Sequence, residues 1–327
     1  MIEPTHLTDR AMTTDHTPAL DRQSPMTPER SATVVAVTGA SGFIGKHVCR
    51  ALAQAGHEVI EIDIASARPD RCVVDDLSDP VRLGDILRAT NATRLVHAAW
   101  AGHPRSAGTN YTGQLTASVI PTTNAMLAAA LAGIDHVVTL SSGGGLAGVA
   151  ADRIKPPAYG WAKKVAESVA LAHSEMFGFS LTVLRPSAVY GPGQNPRSGL
   201  GAVTVFADAL LHGRPIRLLG TGQETRDFLH VHDLARAVEL SVSGRTSGIF
   251  DLGGPESVSL AHLISLIEAA TGRQAVVQHL PATGVDPAQV VMDDRPFAEA
   301  VGWEPTVRLE DALPELVEAL RRADDHQ

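Results

Sequence analysis

Short apolar runs and longer stretches of helical period alternate along the first half of this chain. Runs rich in Val, Ile and Leu at 34–38, 58–62, 71–74, 94–100, 136–140 and 180–184 predict strands. Between them, apolar positions recur every three or four residues. Ile44, Val48, Leu52 and Ala55 share one face, and similar spacing predicts helices over about 80–89, 115–132 and 159–177. Strands that alternate with helices in this way predict a parallel, doubly wound sheet. From about Ser187 the alternation loosens. Helices are expected at about 200–212, 260–271 and 309–321, and short strands at 216–219 and 275–280, with a charged turn at 223–227. A strand at 228–231 and a helix at 233–243 are expected to return to the first sheet. The fold class is therefore α/β, with one domain from 33–186 plus about 228–250. A smaller C-terminal α/β domain takes 187–227 plus 251–327. Residues 1–32 carry no apolar period and read as a disordered tail.

The first strand runs into Thr38-Gly39-Ala40-Ser41-Gly42-Phe43-Ile44-Gly45, a glycine-spaced turn between strand and helix. Gly39 suits a backbone turn closed to other L-residues. Gly42 lets a pyrophosphate approach the main chain, and Gly45 lets the helix pack on the strand. The unpaired N–H groups at the helix start, at the positive end of its dipole, then face the phosphates. Glycines spaced like this also occur in ordinary βα turns. Here the next strand ends at Asp63, where a carboxylate binds an adenine-ribose 2′-hydroxyl and repels a 2′-phosphate. The expected cofactor is NAD rather than NADP, with Ser41, Phe43 and Ile44 in the same binding turn.

Composition narrows the partners. A formal charge of −9 with no basic stripe argues against nucleic acid and anionic membranes. No apolar run approaches the ~18 residues a membrane span needs. The two cysteines, Cys49 and Cys72, form neither a CxxC pair nor a disulfide framework, which fits a reducing, cytoplasmic setting. His230-Val231-His232-Asp233 lacks further ligands at useful spacing, so no metal is expected and Asp233 reads as a helix N-cap.

Tyr159 and Lys163 stand at i and i+4 on one helix face. A free phenol titrates near 10 and is a poor base at neutral pH; bringing it to ~7 takes about 4 kcal/mol. A neighbouring ammonium and a cationic nicotinamide both push in that direction. Taken alone, such a pair reads as a surface contact. Downstream of the glycine turn, and after Ser141-Ser142 at a strand end, it reads as catalytic, with Ser142 as the hydroxyl partner.

With these motifs in order, residues 33–322 resemble an extended short-chain dehydrogenase/reductase of the NAD-dependent nucleotide-sugar epimerase/dehydratase family. Asp76-Leu77, His97-Ala98-Ala99, Arg185 to Gly193, Arg226-Asp227-Phe228 and Gly302-Trp303-Glu304-Pro305 carry the resemblance further. It implies a Rossmann domain followed by a substrate domain. It also implies that Asp76 and Leu77 contact the adenine, that Ala98, Ala99 and Trp100 line the ribose side with Ser141 nearby, and that Pro186 to Val189 follow the nicotinamide. Arg226 is implied to grip a nucleotide diphosphate; its alternative is an ion pair with Asp227 or Glu224. Helices 115–132 and 159–177 resemble the pair that forms the family's homodimer.

Three positions depart from the family pattern. Gly143 stands where a hydroxyl is usual, and glycine there removes the acids that the family's dehydratases and decarboxylases use. Ala188 replaces a frequent Asn in the substrate pocket. An Arg expected just before Asp286 is missing, and Arg197 or Arg217 are the candidates to replace it. The implied activity is 4-epimerisation of a UDP- or dTDP-hexose through a transient 4-keto sugar. The alternatives are an NAD(P)H-dependent 4-ketoreductase of a dTDP-deoxysugar and a non-catalytic dinucleotide-binding protein.

Overall fold

A computed structural model describes residues 33–65, 72–101, 110–150, 158–281 and 288–325, without the side chains of 147–150 and 324–325. The tail assigned to 1–32 and the stretch before Asp286 lie outside the described residues. The chain opens with β1 (Val34–Thr38), α1 (Phe43–Gln54), β2 (Glu58–Asp63), β3 (Cys72–Val74), α2 (Pro80–Ala89) and β4 (Arg94–His97). Next come α3 (Tyr111–Gln114), a π-turn at Leu115–Val119, α4 (Ile120–Ala132), β5 (His136–Leu140), α5 (Gly143–Ala150), α6 (Ala158–Phe177) and β6 (Ser180–Pro186). Then follow β7 (Ala188–Tyr190), α7 (Ala202–Leu211), β8 (Ile216–Leu219), β9 (Thr225–His230), α8 (Val231–Gly244) and β10 (Gly248–Leu252). The last elements are β11 (Ser257–Ser259), α9 (Leu260–Thr271), β12 (Val277–Leu280), β13 (Gln289–Val290), α10 (Arg295–Val301) and α11 (Leu309–Asp325).

Seven strands form one sheet in the order β10-β6-β5-β4-β1-β2-β3, with every neighbouring pair parallel. This is the doubly wound Rossmann-like α/β sheet. Its strands are covered on both faces, which is why they read as continuous apolar runs rather than alternating ones. Val37 and Val96 face a core shared with Val48 and Leu52 of α1, Leu234 and Val238 of α8, and Trp303. Ala36, Leu95 and Val137 face the opposite core, with Leu83 and Leu87 of α2 and Met126 of α4. From β1 the chain builds outward to β3, then crosses back and lays β4 on the other side of β1. The C-terminal ends of β1 and β4 therefore flank the switch point where open α/β sheets bind ligands.

Four local expectations change. First, β9 begins at Thr225 and pairs with β7, β11 and β13 in a separate small sheet. The strand that joins the edge of the large sheet is β10. Periodicity shows that a run is buried but not which sheet buries it. Second, Asp233 is not the N-cap: α8 starts at Val231 behind His230. Its carboxylate instead accepts from Thr306 N and Val307 N, both at 2.9 Å, and from Thr306 Oγ at 3.0 Å.

Third, the predicted helix at 115–132 extends back to Tyr111 through the π-turn. In a regular α-helix Pro121 would lack the N–H for the Ala117 carbonyl and its ring would crowd it, and the wider turn just before it accommodates both. This 22-residue helix, whose most apolar 18-residue window has a mean hydropathy of 1.4, is long and apolar enough to cross a membrane, although Thr, Ser and Asn interrupt its apolar run. It packs between α2 and α6 and turns polar groups inward, Asn124 donating to Leu77 O at 2.8 Å. Fourth, the Ser141-Ser142-Gly143-Gly144-Gly145 stretch is not a plain break. Helix α5 starts there, with Gly145 N donating to Ser142 Oγ at 3.1 Å.

Candidate active site

The glycine turn lies at the C-terminal edge of β1, and each glycine has a separate reason. Gly39 adopts φ +73°, and a β-carbon on it would sit 2.6 Å from Ala99 N at the end of β4. A β-carbon on Gly45 would overlap the Gly39 carbonyl, so the helix could not come this close to the strand. Gly42 caps α1 in an extended conformation with no side-chain hydrogen bond, so its first-turn N–H groups have no side-chain acceptor there. Beside the turn, Asp63 accepts from Ser41 N at 2.8 Å and from Ile64 N at 2.7 Å, one bond to each oxygen. Each oxygen keeps lone-pair capacity for a ribose hydroxyl. These residues fit a dinucleotide, with a glycine-lined cradle for the pyrophosphate and a carboxylate for the ribose.

At the end of β3, Asp75 accepts from Leu77 N at 2.7 Å and holds Leu77 at φ +60°. Asp76 is exposed next to it, and hydrogen bonds from Ser78 keep its carboxyl below the ordinary carboxylate range. The sequence reading missed Asp75, which shapes the loop that carries Asp76 and Leu77.

The ends of β4 and β5 and the start of α6 gather Trp100, Ser141, Ser142, Tyr159 and Lys163. Lys163 Nζ donates to Leu140 O at 2.9 Å and lies 3.6 Å from the centre of the Trp100 ring and 6.0 Å from that of Tyr159. Trp100 and Tyr159 meet edge to face at 6.1 Å. Burial pushes the Tyr159 phenol up from its ordinary value, and a hydrogen bond with Ser142 pulls it back down. Burial also pushes Lys163 down to about 7, while the charge of Glu167 raises it. The Trp100 face favours the ammonium form as well. Glu167, which the sequence reading also missed, is one turn beyond Lys163 on the same helix face. It takes a bidentate grip from Arg185 at 2.8 and 2.7 Å. Its i+4 spacing from Lys163 was a readable signal. The buried Ser141 hydroxyl and Trp100 Nε1 have no hydrogen-bond partner among the described residues, and both border this cluster.

The remaining candidates spread outward. Ser187 N donates to Leu252 O at 2.9 Å, which fixes the Pro186–Val189 crossing from β6 to β7. Ala188 and Val189 then pair with Phe228 and Leu229 of β9. Arg226 is half-buried in β9, between Val258 and Val290, and donates to Thr225 O at 2.6 Å. Glu224 accepts from Gly222 N at 2.8 Å, and Asp227 accepts from Met292 N at 2.8 Å. Arg217 is exposed on β8, and Arg197 lines a cleft of about 500 Å³ walled by Asp208, His212, Arg214, Leu316 and Leu320. Neither arginine shares an element with Arg226. His230 and His232 stack edge-on at 4.8 Å, and among the described residues no group of metal-ligating side chains is assembled.

The chain belongs to the NAD dependent epimerase/dehydratase family, which its residues 35–253 match. It is similar to the UDP-glucose 4-epimerase of Mycolicibacterium smegmatis, with 28% identity over 312 residues, covering 87% of this chain and 97% of that protein. Among solved structures it is similar to the Thermus thermophilus UDP-glucose 4-epimerase in complex with NAD. That match has a TM-score of 0.79 and 26% identity, over 89% of this chain and 99% of the other. It is also similar to MoeE5 in complex with UDP-glucuronic acid and NAD, with a TM-score of 0.79 and 31% identity, over 88% and 99% of the two chains. The protein is an NAD-dependent enzyme of the epimerase/oxidoreductase type.

Proposed function

We propose that this enzyme is a nucleotide-sugar 4-epimerase that acts on a UDP- or dTDP-hexose through a transient 4-keto sugar. The observation that carries the reading is the Ser142–Tyr159–Lys163 cluster beside the glycine turn, with glycines rather than acids at 143–145. As phenolate, Tyr159 takes the proton of the sugar C4 hydroxyl, and Ser142 hydrogen-bonds the same oxygen. Lys163, whose Nζ lies 6.0 Å from the centre of the Tyr159 ring, would favour the phenolate by charge and would hold the nicotinamide ribose of bound NAD. Bound NAD supplies the acceptor and later the donor of the C4 hydride. After the keto sugar has turned in the pocket, Tyr159 returns the proton to the C4 oxygen. The net change is inversion at C4 with no cofactor consumed, so the NAD preference ascribed to Asp63 suits it. Glycines at 143–145 leave that stretch without an acid to drive elimination or decarboxylation. Arg226 is the residue we assign to the diphosphate, by a bidentate hydrogen bond.

Adding UDP- and dTDP-hexoses one at a time to NAD-loaded protein, while following the absorbance of reduced nicotinamide, tests this. A transient rise with one sugar, lost by roughly a thousandfold in rate in Tyr159→Phe, is expected. Cofactor oxidation that occurs only when a 4-keto sugar is supplied with NAD(P)H would replace epimerisation with the ketoreductase reading.

A further inference from the structure

Three consecutive glycines form the first turn of α5, and glycine is the weakest helix former after proline. Something outside the helix must hold that turn, and the structure shows what packs on each side. A β-carbon on Gly143 would overlap the Met292 sulfur, and Met292 Cε would lie 3.2 Å from it. A β-carbon on Gly144 would touch Val290 at 3.9 Å. On the other side, a β-carbon on Gly145 would sit 2.8 Å from the Tyr159 ring and 3.1 Å from Ser142 Oγ. The turn is thus clamped between the Val290–Met292 segment and Tyr159. The segment is itself fixed, since Met292 N donates to Asp227 at 2.8 Å.

Ser142 depends on this clamp. Its oxygen accepts from Gly145 N at 3.1 Å, so its own proton is free to go to the Tyr159 oxygen. We propose that Met292 is a positioning residue of the reaction: its thioether fills the volume of a side chain at 143, holds the first turn of α5, and so aims the Ser142 hydroxyl at Tyr159. An unbranched, polarisable thioether suits this irregular gap. The position where a hydroxyl is usual has become the seat of a sulfur, and the hydroxyl next to it carries the contact with Tyr159. The proposal rests on Tyr159 being the base of the proposed reaction.

The test uses the full chain and four variants: Gly143→Ala, Met292→Ala, the two together, and Met292→Leu. The first readout is the near-ultraviolet tyrosinate titration of protein without substrate. Only three tyrosines are present, and subtracting the Tyr159→Phe curve isolates Tyr159. The second readout is kcat and KM measured separately on NAD-loaded protein, with NAD affinity as the check on folding. Gly143→Ala is expected to raise the Tyr159 midpoint and to lower kcat about tenfold or more, with KM within about twofold. In the Met292→Ala background the same substitution should cost about tenfold less than in the wild type. Met292→Leu should keep kcat within about threefold of the wild type, because it keeps the volume. Equal costs of Gly143→Ala in the two backgrounds would overturn the proposal, as would a Met292→Ala protein with unmoved titration and kcat. The titration needs no sugar, so a wrong substrate assignment would show in the sugar panel and not here.

Discussion

Ser142 serves two partners with one oxygen, and the roles at this site follow from which atom donates. With Gly145 N–H already accepted, its hydroxyl is a donor to Tyr159 and stabilises the phenolate. Ser142→Ala is therefore expected to lower kcat by about ten- to a hundredfold and to move the acidic limb of its pH profile upward. An unmoved limb would remove Ser142 from the ionisation of Tyr159. Asp63 makes a separate claim. Calorimetry should show NAD bound more tightly than NADP, with Asp63→Ala narrowing the gap. NADP bound more tightly by the wild type would contradict it.

His97 shows what a residue-level reading of sequence leaves out. Thr122 Oγ donates to Ser118 O at 2.9 Å, so it accepts from His97 Nε2–H at 3.0 Å, and Nδ1 accepts from the Thr38 hydroxyl at 2.8 Å. The ring is held neutral, with burial and the charge of Lys163 lowering its pKa to about 3, while His136 and His230 are lowered to about 4 by burial. The unfolded chain protonates these rings near 6.5 and so binds more protons than the native state below that pH. The contribution of these three rings to stability should be flat above about 6.5 and fall as the pH drops toward 3 to 4. Urea unfolding of His97→Gln at pH 7 and pH 5 should show that difference reduced by roughly 1–2 kcal/mol relative to wild type. An identical difference would show that His97 does not contribute to it.

At the scale of elements, the sequence was most informative where one local reason decides the outcome. The glycine turn was legible because Gly39 and Gly45 each answer a backbone contact, and six of the seven large-sheet strands because their runs are apolar; the edge strand β10 was not. Helix α5 was not legible: Gly143 to Gly145 break helices by propensity, and tertiary contacts with Met292 and Tyr159 override that. Asp233 was read from its place at the start of a helix, yet its partners are more than seventy residues away. Those bonds join α8 to Thr306 and Val307, just after the Gly302–Pro305 stretch, where Trp303 Nε1 also donates to Asp233 O at 3.0 Å. Asp233→Ala should cost about 2 kcal/mol, since it removes a buried carboxylate that accepts three hydrogen bonds from partly exposed donors. Chemical denaturation reads this directly; a loss within about 0.5 kcal/mol would mean the C-terminal turn is held by Trp303 packing alone.

At the scale of the whole molecule, the candidate site and an apolar outer face are built on the same two helices. Ile120 and Leu131 of α4 and Trp161, Val165 and Leu171 of α6 are exposed, although α4 and α6 pack against each other. We propose that this face joins two copies of the chain. Light scattering should give a particle of twice the 34.3 kDa chain mass, and a particle of 34.3 kDa alone would reject it. The parallel, doubly wound character of the large sheet was legible from the alternation of strands and helices. The placing of β9 in its own sheet was not, because its partners β7, β11 and β13 come from three distant stretches. The central claim concerns the fate of one hydrogen, and a nucleotide sugar deuterated at C4 follows it. With NAD-loaded enzyme and no added cofactor, the deuterium should remain at C4 of the inverted product. Turnover that requires stoichiometric NAD(P)H and a 4-keto substrate, with no inversion of the deuterated sugar, would contradict the account.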